Sequence, residues 1–270
     1  MTLDEITSRL DAAGIRAARF EALCLAEHFE EKSRAALLAD RHAPLDADGL
    51  AEAVRRRENR EPLQYIIGKW EFYGLPFIVD GSCLIPRPDT ELLAEALRER
   101  LPEGGTFLDM CTGSGCIAIA AAKYRPDITG VGADISEDAI ATARKNAELN
   151  GVADRVSFIV RDVREPWSGE RFDAAVANPP YVTAEEMEKV SPELRFEPRI
   201  ALTDEGDGLS LIRAFVRLAH GAVKDGGLIA VEHGASQGDE VKKIFESFGM
   251  TPDTLPDIEG RPRVTLAERN

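Results

Sequence analysis

The sequence predicts an α/β protein in which a parallel, doubly wound sheet follows a small helical domain. Two observations carry this prediction: residues 1–65 show helical periodicity without a strand signal, and strand-like and helix-like segments alternate from about residue 104 onward. Such alternation is typical of βαβ units, which build a parallel sheet. The length agrees, because 270 residues with 44% hydrophobic side chains suffice for a large and a small domain.

The first predicted segment is helical. Thr2 and Glu5 have the spacing of a capping box, and Leu3, Ile6 and Leu10 continue at helical spacing. Further helix candidates are 20–27, 33–39 and 46–60, the last of which should end before Pro62.

Residues 66–87 change character and are predicted to form a β-hairpin linker. They are rich in aromatic and β-branched residues, and Asp80-Gly81 between such runs is a hairpin signal. We therefore predict three parts: a helical domain over 1–65, the linker over 66–87 and the α/β domain over 88–270.

The α/β domain opens with a helix candidate over 91–100, which Asp89 or Thr90 could cap. From about residue 104 it contains five strand candidates, four further helix candidates and a late apolar stretch. The strands are 106–110, 130–133, 156–160, 174–177 and 228–232, with 263–266 as a possible edge strand. The helices are 116–123, 137–150, 209–223 and 237–248. Glu232 and His233, at the end of the fifth strand, are expected to give structural support, with a role in the cleft as the alternative.

Composition and charge exclude several classes of protein. The formal net charge of −15, with a pI near 4.8, argues against an electrostatic DNA or RNA binder. The histidines show no ligand spacing and the cysteines form no C-x-x-C pair, so no metal site is predicted. The start lacks the apolar region of a signal peptide and no run is long enough for a membrane helix, so a cytoplasmic protein is expected.

A glycine-rich loop follows the first strand of the α/β domain. Gly113-Ser114-Gly115 lets the backbone approach a ligand at a helix N-terminus, and with Ala118 it fits the pattern G-x-G-x-x-G/A. Asp134 ends the next strand, where an acid can accept both hydroxyls of a ribose. A nucleoside cofactor is predicted, and at this point NAD and S-adenosylmethionine both fit.

Two further acids favour S-adenosylmethionine. Asp109, in the strand before the loop, suits a cationic ligand with an amino group better than a pyrophosphate. Asp162, at the end of the third strand, is placed to contact an adenine amino group, although a solvated strand-end acid is the alternative.

The segment Asn178-Pro179-Pro180-Tyr181 directly follows the fourth strand. Its prolines remove two N–H donors, so the backbone offers mainly carbonyl groups, and Asn178 adds a side-chain carbonyl. Such acceptors can hold a planar –NH2 group by both hydrogens, and Tyr181 can stack on that group. Positioning the nitrogen against an electrophilic methyl group would permit its methylation. The alternative is a strand that ends in a Pro-Pro turn.

This segment resembles that of methyltransferases acting on adenine, cytosine or glutamine amide nitrogens. Five others resemble the PrmC/HemK family of release factor glutamine methyltransferases: 61–68 (EPLQYIIG), 71–75 (EFYGL), 84–91 (LIPRPDTE), 231–234 (VEHG) and 263–266 (RVTL). The resemblance runs from about residue 60 to the end, and the helical N-terminal domain is of the expected kind.

The resemblance implies a seven-stranded, Rossmann-like S-adenosylmethionine-dependent methyltransferase sheet. It also implies methylation of the glutamine amide nitrogen, N5, in the Gly-Gly-Gln loop of class-1 peptide chain release factors. Asp134 would bind ribose, and Asp162 with Val163 would flank adenine. The methionine side of the cofactor would lie on Cys111, Thr112, Gly113, Ser114 and Gly115, and the substrate amide on Asn178, Pro179, Pro180 and Tyr181, with Asn178 also near the cofactor. Cys111 stands where the family usually has glycine, and cysteine adopts a positive φ poorly.

We predict direct methyl transfer, in which Asn178 Oδ1 and the Pro179 carbonyl accept the amide hydrogens and the proton leaves to water. An adenine-N6 methyltransferase of DNA or RNA is the main alternative, and the negative charge argues against it. An inactive scaffold is disfavoured by the intact motifs, and an NAD oxidoreductase leaves residues 178–181 unexplained. The helical domain is expected to dock the protein substrate or else only to stabilise the fold. A monomer that binds neither nucleic acid nor membrane is expected.

Overall fold

A computed structural model describes residues 1–270 of the chain. These residues divide into two units, Met1–Lys69 with Ser191–Phe196, and Trp70–Val190 with Glu197–Asn270. The hairpin, which the sequence analysis treated as a separate linker, groups with the second unit.

The first unit is helical. Thr2 accepts a hydrogen bond from the Glu5 backbone and receives the Glu5 side chain on its own N–H, so the capping box predicted for the first helix is present. The helix predicted to end before Pro62 ends at Glu58. Pro62 itself precedes the short helix α5, where a residue without an N–H costs no hydrogen bond. The helices are α1 (Leu3–Ala12), α2 (Ala18–Glu30), α3 (Arg34–Ala39), α4 (Leu50–Glu58) and α5 (Leu63–Ile67).

The segment Ser191–Phe196 groups with this helical unit, and ion pairs join one of its residues to the helices. Glu193 lies 3.1 Å from Nη2 of Arg57 and 2.7 Å from Nη2 of Arg60. Arg57 is almost fully buried and also pairs with Glu21. A buried guanidinium requires such partners, so the helices fix this segment.

A two-stranded hairpin opens the second unit, with β1 at Lys69–Phe72 and β2 at Leu75–Ile78. The buried side chain of Asn146 accepts from Ile78 N at 2.7 Å and donates to Ile78 O at 3.0 Å. Asn150 donates to Pro76 O at 2.9 Å. These two asparagines, both on one helix, fix β2 to the second unit.

A seven-stranded sheet forms the centre of the second unit and confirms the predicted α/β class. Its order is β5-β4-β3-β6-β7-β9-β8. The first five strands in this order run parallel, and β9 is antiparallel to both of its neighbours. The strands are β3 (Thr106–Met110), β4 (Thr129–Asp134), β5 (Val156–Val160), β6 (Phe172–Ala177), β7 (Val223–Glu232), β8 (Asp253–Pro256) and β9 (Pro262–Glu268).

The remaining helices connect these strands. The predicted helix 209–223 ends at Ala222, and β7 begins at Val223, five residues before the predicted strand. The helices of the second unit are α6 (Glu91–Arg100), α7 (Cys116–Tyr124), α8 (Glu137–Asn150), α9 (Ala184–Met187), α10 (Ser210–Ala222) and α11 (Gly238–Glu246). None of the helices in the chain is both long and apolar enough to cross a membrane.

The strand order reverses between β3 and β6, which lie side by side. In open parallel sheets a ligand crevice forms outside the carboxyl ends of the strands at such a reversal. The fold therefore places the loop after β3 and the segment after β6 beside one crevice.

Candidate active site at the carboxyl ends of the strands

One cleft lies at this end of the sheet, and most of the residues predicted to bind ligands line it. These are Cys111, Thr112, Gly113, Ser114, Asp134, Asp162, Val163, Asn178 and Pro180. Four other predicted residues, Asp109, Gly115, Pro179 and Tyr181, do not line this cleft. Their predicted roles must therefore be assessed from their individual contacts.

The glycine loop after β3 has a backbone that few other residues could adopt. Gly115 has a φ of 80°, and a Cβ there would lie 2.9 Å from Ile119 and 3.1 Å from Ala143. Gly113 has a φ of 53° and faces the cleft. Cys111 also has a positive φ, of 56°, in the left-handed region that disfavours a side chain with a Cβ. The loop thus keeps a glycine-like backbone at a position where this chain has cysteine.

Asp134 ties this loop to the end of β4. Its Oδ2 accepts a hydrogen bond from Gly113 N at 2.9 Å, and its Oδ1 accepts from Ser136 N at 3.0 Å. Each carboxylate oxygen can accept more than one hydrogen bond, so the group can still accept from a ligand in the cleft. Partial burial raises the pKa of Asp134. The contacts hold the carboxylate at the cleft wall, as the ribose role requires.

Asp109 lies behind the loop and is fully buried. Its Oδ2 accepts from the Thr112 hydroxyl at 2.5 Å, whereas Oδ1 has no hydrogen-bond partner. Burial raises the pKa of Asp109 to about 7. Ser114 Oγ is a second buried atom without a partner, and it belongs to a residue of the cleft wall. Of these two atoms, only Ser114 Oγ belongs to the cleft wall, whereas Asp109 lies behind the loop.

The charge around the loop is negative. Burial raises the pKa of Cys111, and the carboxylates of Asp134, Asp109 and Asp162 raise it further. The acids next to the loop favour a cation there, although Arg87, Arg161 and Arg164 also line the cleft. These acids fit the ammonium and sulfonium groups of S-adenosylmethionine.

Asp162 and Val163 line the cleft beyond the end of β5. The Asp162 carboxylate accepts from Arg164 N at 2.8 Å and lies 3.1 Å from the Arg164 guanidinium. The group remains partly exposed, and Val163 beside it is buried. A carboxylate next to an apolar wall fits an adenine ring and its amino group, but the assignment stays a prediction.

Asn178 stands at the carboxyl end of β6 with its carboxamide fixed. Nδ2 donates to Thr90 Oγ1 at 3.0 Å, which leaves Oδ1 available. Pro179 and Pro180 are buried, and only Pro180 lines the cleft.

Tyr181 does not line the cleft and makes two hydrogen bonds with other parts of the second unit. Its hydroxyl donates to Glu232 Oε1 at 3.1 Å, and its carbonyl accepts from Gln237 Nε2 at 3.0 Å. These bonds fix the backbone that follows the prolines. Stacking of the Tyr181 ring on the substrate stays a prediction.

Sequence reasoning missed some residues that build the site. Thr90, which bonds Asn178, lies in the segment 84–91 that carried the family resemblance, but the sequence suggested for it only a helix cap, and its side chain makes no cap hydrogen bond. Arg87 lines the cleft and pairs with the buried Glu197, whose Oε2 also accepts from Ile85 N at 3.0 Å. Contacts so distant in sequence have no local signal. The structure contains no group of three or more histidine, cysteine or acidic side chains able to hold a metal ion.

Comparison with known proteins finds two matching family models and relatives that are similar over most of the chain. A model described as the PrmC N-terminal domain matches residues 2–68, and one described as the methyltransferase small domain matches residues 87–220. A release factor glutamine methyltransferase of Neisseria gonorrhoeae is 41% identical over 260 residues, which is 93% of each chain. A release factor glutamine methyltransferase of Moorella thermoacetica is 39% identical and covers 99% of this chain and 97% of its own.

Solved structures show the same fold at lower identity. A methyltransferase from Pyrococcus furiosus has a TM-score of 0.55 at 16% identity, covering 74% of this chain and 91% of its own. A 16S rRNA methyltransferase of T. thermophilus, in complex with AdoMet and guanosine, has a TM-score of 0.54 at 22% identity, covering 75% of this chain and 50% of its own.

Proposed function

The chain belongs to the release factor glutamine methyltransferase family, and we propose on this basis what it modifies and how its residues act. Its reaction is transfer of a methyl group from S-adenosylmethionine to the side-chain amide nitrogen of glutamine. The substrate is the Gly-Gly-Gln motif of class-1 peptide chain release factors. The observation that carries this proposal is the match over nearly the full length of relatives that bear this name.

The cofactor site follows from the acids around the glycine loop. When bound, S-adenosylmethionine supplies an electrophilic methyl group on a sulfonium sulfur. Asp134 would accept the ribose hydroxyls, Asp162 and Val163 would flank adenine, and the loop 111–115 would face the methionine part. The negative charge of Asp109 would act on the cofactor through the loop, because its side chain does not line the cleft.

The substrate amide is oriented by the segment after β6. Asn178 Oδ1 and the carbonyl of Pro179 accept the two amide hydrogens, which aims the nitrogen lone pair away from them. As positive charge develops on the nitrogen, both acceptors become stronger partners. The nitrogen then loses its proton to water. Asn178→Ala should therefore abolish most of the turnover while the cofactor still binds.

Nucleic acid is a poorer candidate for the substrate. The relatives that match nearly the full chain are named for release factors, and the net charge of −15 opposes approach to a polyanion. We further propose that the protein acts as a monomer in the cytoplasm. Light scattering on a size-exclusion column tests the monomer against the chain mass of 29.5 kDa.

We also propose that the helical unit docks the protein substrate. It carries apolar side chains that are exposed, among them Phe20 and Leu38. Phe20→Ser together with Leu38→Ser should raise the KM for whole release factor and leave the KM for a short Gly-Gly-Gln peptide unchanged. An equal effect on both substrates would contradict docking through this unit.

The test of the main proposal is methyl transfer from labelled S-adenosylmethionine. The substrates are unmethylated release factor, the same factor with its loop glutamine replaced by alanine, and an adenine-containing duplex. We expect label on the first alone. Label on the duplex, or equal label on the alanine variant, would refute glutamine methylation.

A further inference from the structure

The orientation of the Asn178 carboxamide depends on its neighbour Thr90. Asn178 Nδ2 donates to Thr90 Oγ1, and this leaves Oδ1 as the free atom of the carboxamide. A hydroxyl can either accept or donate, so Thr90 could equally donate to Oδ1 if the carboxamide turned over. Turned over, Asn178 would present N–H donors to a substrate that itself has N–H donors. A third group must therefore fix the direction of this hydrogen bond.

Glu232 is the candidate for that group. It ends β7, and Ala177 pairs with Val231, so Glu232 and Asn178 occupy corresponding positions on neighbouring strands. Its side chain is 1% exposed. Oε1 accepts from the Tyr181 hydroxyl, whereas Oε2 is buried and has no hydrogen-bond partner.

Thr90 lies near this carboxylate. It belongs to the short 3-10 helix Pro88–Thr90, is 2% exposed, and its side chain lowers the pKa of Glu232, while Oε2 itself makes no hydrogen bond in the structure. No acceptor takes the Thr90 hydroxyl proton there. The free proton of Thr90 and the free oxygen of Glu232 are thus complementary.

We propose that Glu232 is a positioning residue that sets the direction of the hydrogen bond between Thr90 and Asn178. An ionised carboxylate can only accept, so Glu232 accepts a hydrogen bond from the Thr90 hydroxyl. Thr90 Oγ1 is then left to accept from Asn178 Nδ2. Oδ1 of Asn178 is then kept for the substrate amide. The other carboxylate oxygen holds Tyr181, so one buried group orients both ends of the segment 178–181. This inference rests on the proposed function.

The protonation state of Glu232 should make turnover depend on pH. Burial raises the pKa of Glu232 to about 7, while Thr90, Tyr181 and the cation of Arg263 lower it and Asp89 raises it. Cys116 is the other titratable group that interacts with Glu232. Once protonated, Glu232 can donate to Thr90, and Thr90 can then donate to Asn178 Oδ1. Turnover should therefore fall as the pH drops through about 7.

The experiment uses the full chain and unmethylated release factor. Thr90→Val removes the hydroxyl at nearly constant shape, and Thr90→Ser restores it. We expect Thr90→Val to lower kcat by about 10-fold or more, because a buried hydrogen-bonding group is left unpaired. The KM for S-adenosylmethionine should stay within about twofold, and Thr90→Ser should recover most of kcat. Thr106→Val is the matched control. Thr106 begins β3, at the end of the strand away from the cleft, so its replacement should leave kcat unchanged.

Glu232→Gln tests the second link. It should lower kcat and remove the acidic limb from the pH dependence of kcat. Wild-type kcat in Thr90→Val, or an unchanged acidic limb in a folded Glu232→Gln, would overturn the inference. If Glu232→Gln does not fold, the pH dependence of Thr90→Val decides the question: without the hydroxyl, Glu232 cannot act on Asn178, so the acidic limb of kcat should be lost, and an unchanged limb would overturn the inference. A wild-type protein that fails to methylate release factor would refute the proposed function instead.

Discussion

Replacing Asn146 by alanine should destabilise the protein far more than an ordinary polar substitution. Asn146 is fully buried and makes three hydrogen bonds to backbone: it accepts from Ile78 N and donates to Ile78 O and to Ser114 O, at 2.7, 3.0 and 3.0 Å. Alanine would leave the carbonyl of Ser114 buried without this partner, and the partly buried N–H and carbonyl of Ile78 without theirs. One helical side chain therefore connects the hairpin strand to the cofactor loop.

The expected magnitude follows from these three lost partners. A buried group left unsatisfied costs about 1–3 kcal/mol, and partial relaxation makes the total less than the sum, so we expect a loss of about 3–5 kcal/mol in the free energy of unfolding. At about 2–4 °C per kcal/mol for a chain of this size, Tm should fall by roughly 10 °C. Affinity for S-adenosylmethionine should fall as well, because Ser114 belongs to the cleft wall.

Thermal and urea denaturation followed by circular dichroism measure the stability, and calorimetry measures the cofactor affinity. Asn59→Ala is the matched control, since Asn59 is exposed at the end of α4 and should change stability by no more than about 0.5 kcal/mol. Asn150→Ala should fall between the two. A loss below about 1 kcal/mol for Asn146→Ala would show that the three bonds do not carry the energy assigned to them.

Other substitutions test the site more directly. Gly208→Ala would place a Cβ 2.2 Å from the carbonyl oxygen of Tyr181, so methyl transfer should be lost, whereas Gly221→Ala, with open space around it, should retain it; equal activities would contradict the steric argument. Asp134→Ala should weaken S-adenosylmethionine binding by roughly 1–3 kcal/mol in calorimetry, and an unchanged affinity would exclude the ribose role. Because the pKa of Asp109 is raised from 3.8 to about 7, its contribution favours folding below about pH 4 and is lost as the pH rises through 7. Asp109→Asn should therefore lose less stability over that range than wild type, and parallel pH curves would contradict the raised pKa.

The sequence was sufficient for the parallel sheet because its signals are local. The apolar runs of β3 and β5 stand between clear turn residues, and both strands have the predicted bounds. The start of β7 was missed, since Lys224-Asp-Gly-Gly227 has the composition of a turn although it belongs to the strand. Strand β8 was missed because it contains little apolar alternation and is paired only at one edge, by β9.

For the site, the sequence indicated which residues would meet but not how they would be held. The glycine loop, Asp134 and Asn178 follow strand ends, and topology alone brings these ends together. The partners of these residues, such as Thr90 for Asn178, are distant in sequence and belong to no periodic pattern. Glu232 was expected mainly to give structural support. Its burial, its unpartnered Oε2 and its bond with the Tyr181 hydroxyl, which point to a positioning role, are visible only in the structure.

The division of the chain into two units also constrains how the protein can be cut or recombined. The segment Ser191–Phe196 belongs to the helical unit, although the residues on either side of it belong to the second. A gene fragment encoding only residues 70–270 would carry Glu193 without the arginines at positions 57 and 60 that neutralise it. A chimera that exchanges the helical unit between relatives must therefore exchange this distant segment with it. Substitutions at Arg57 and Glu193 should be inherited as pairs, even though 136 positions separate them along the chain.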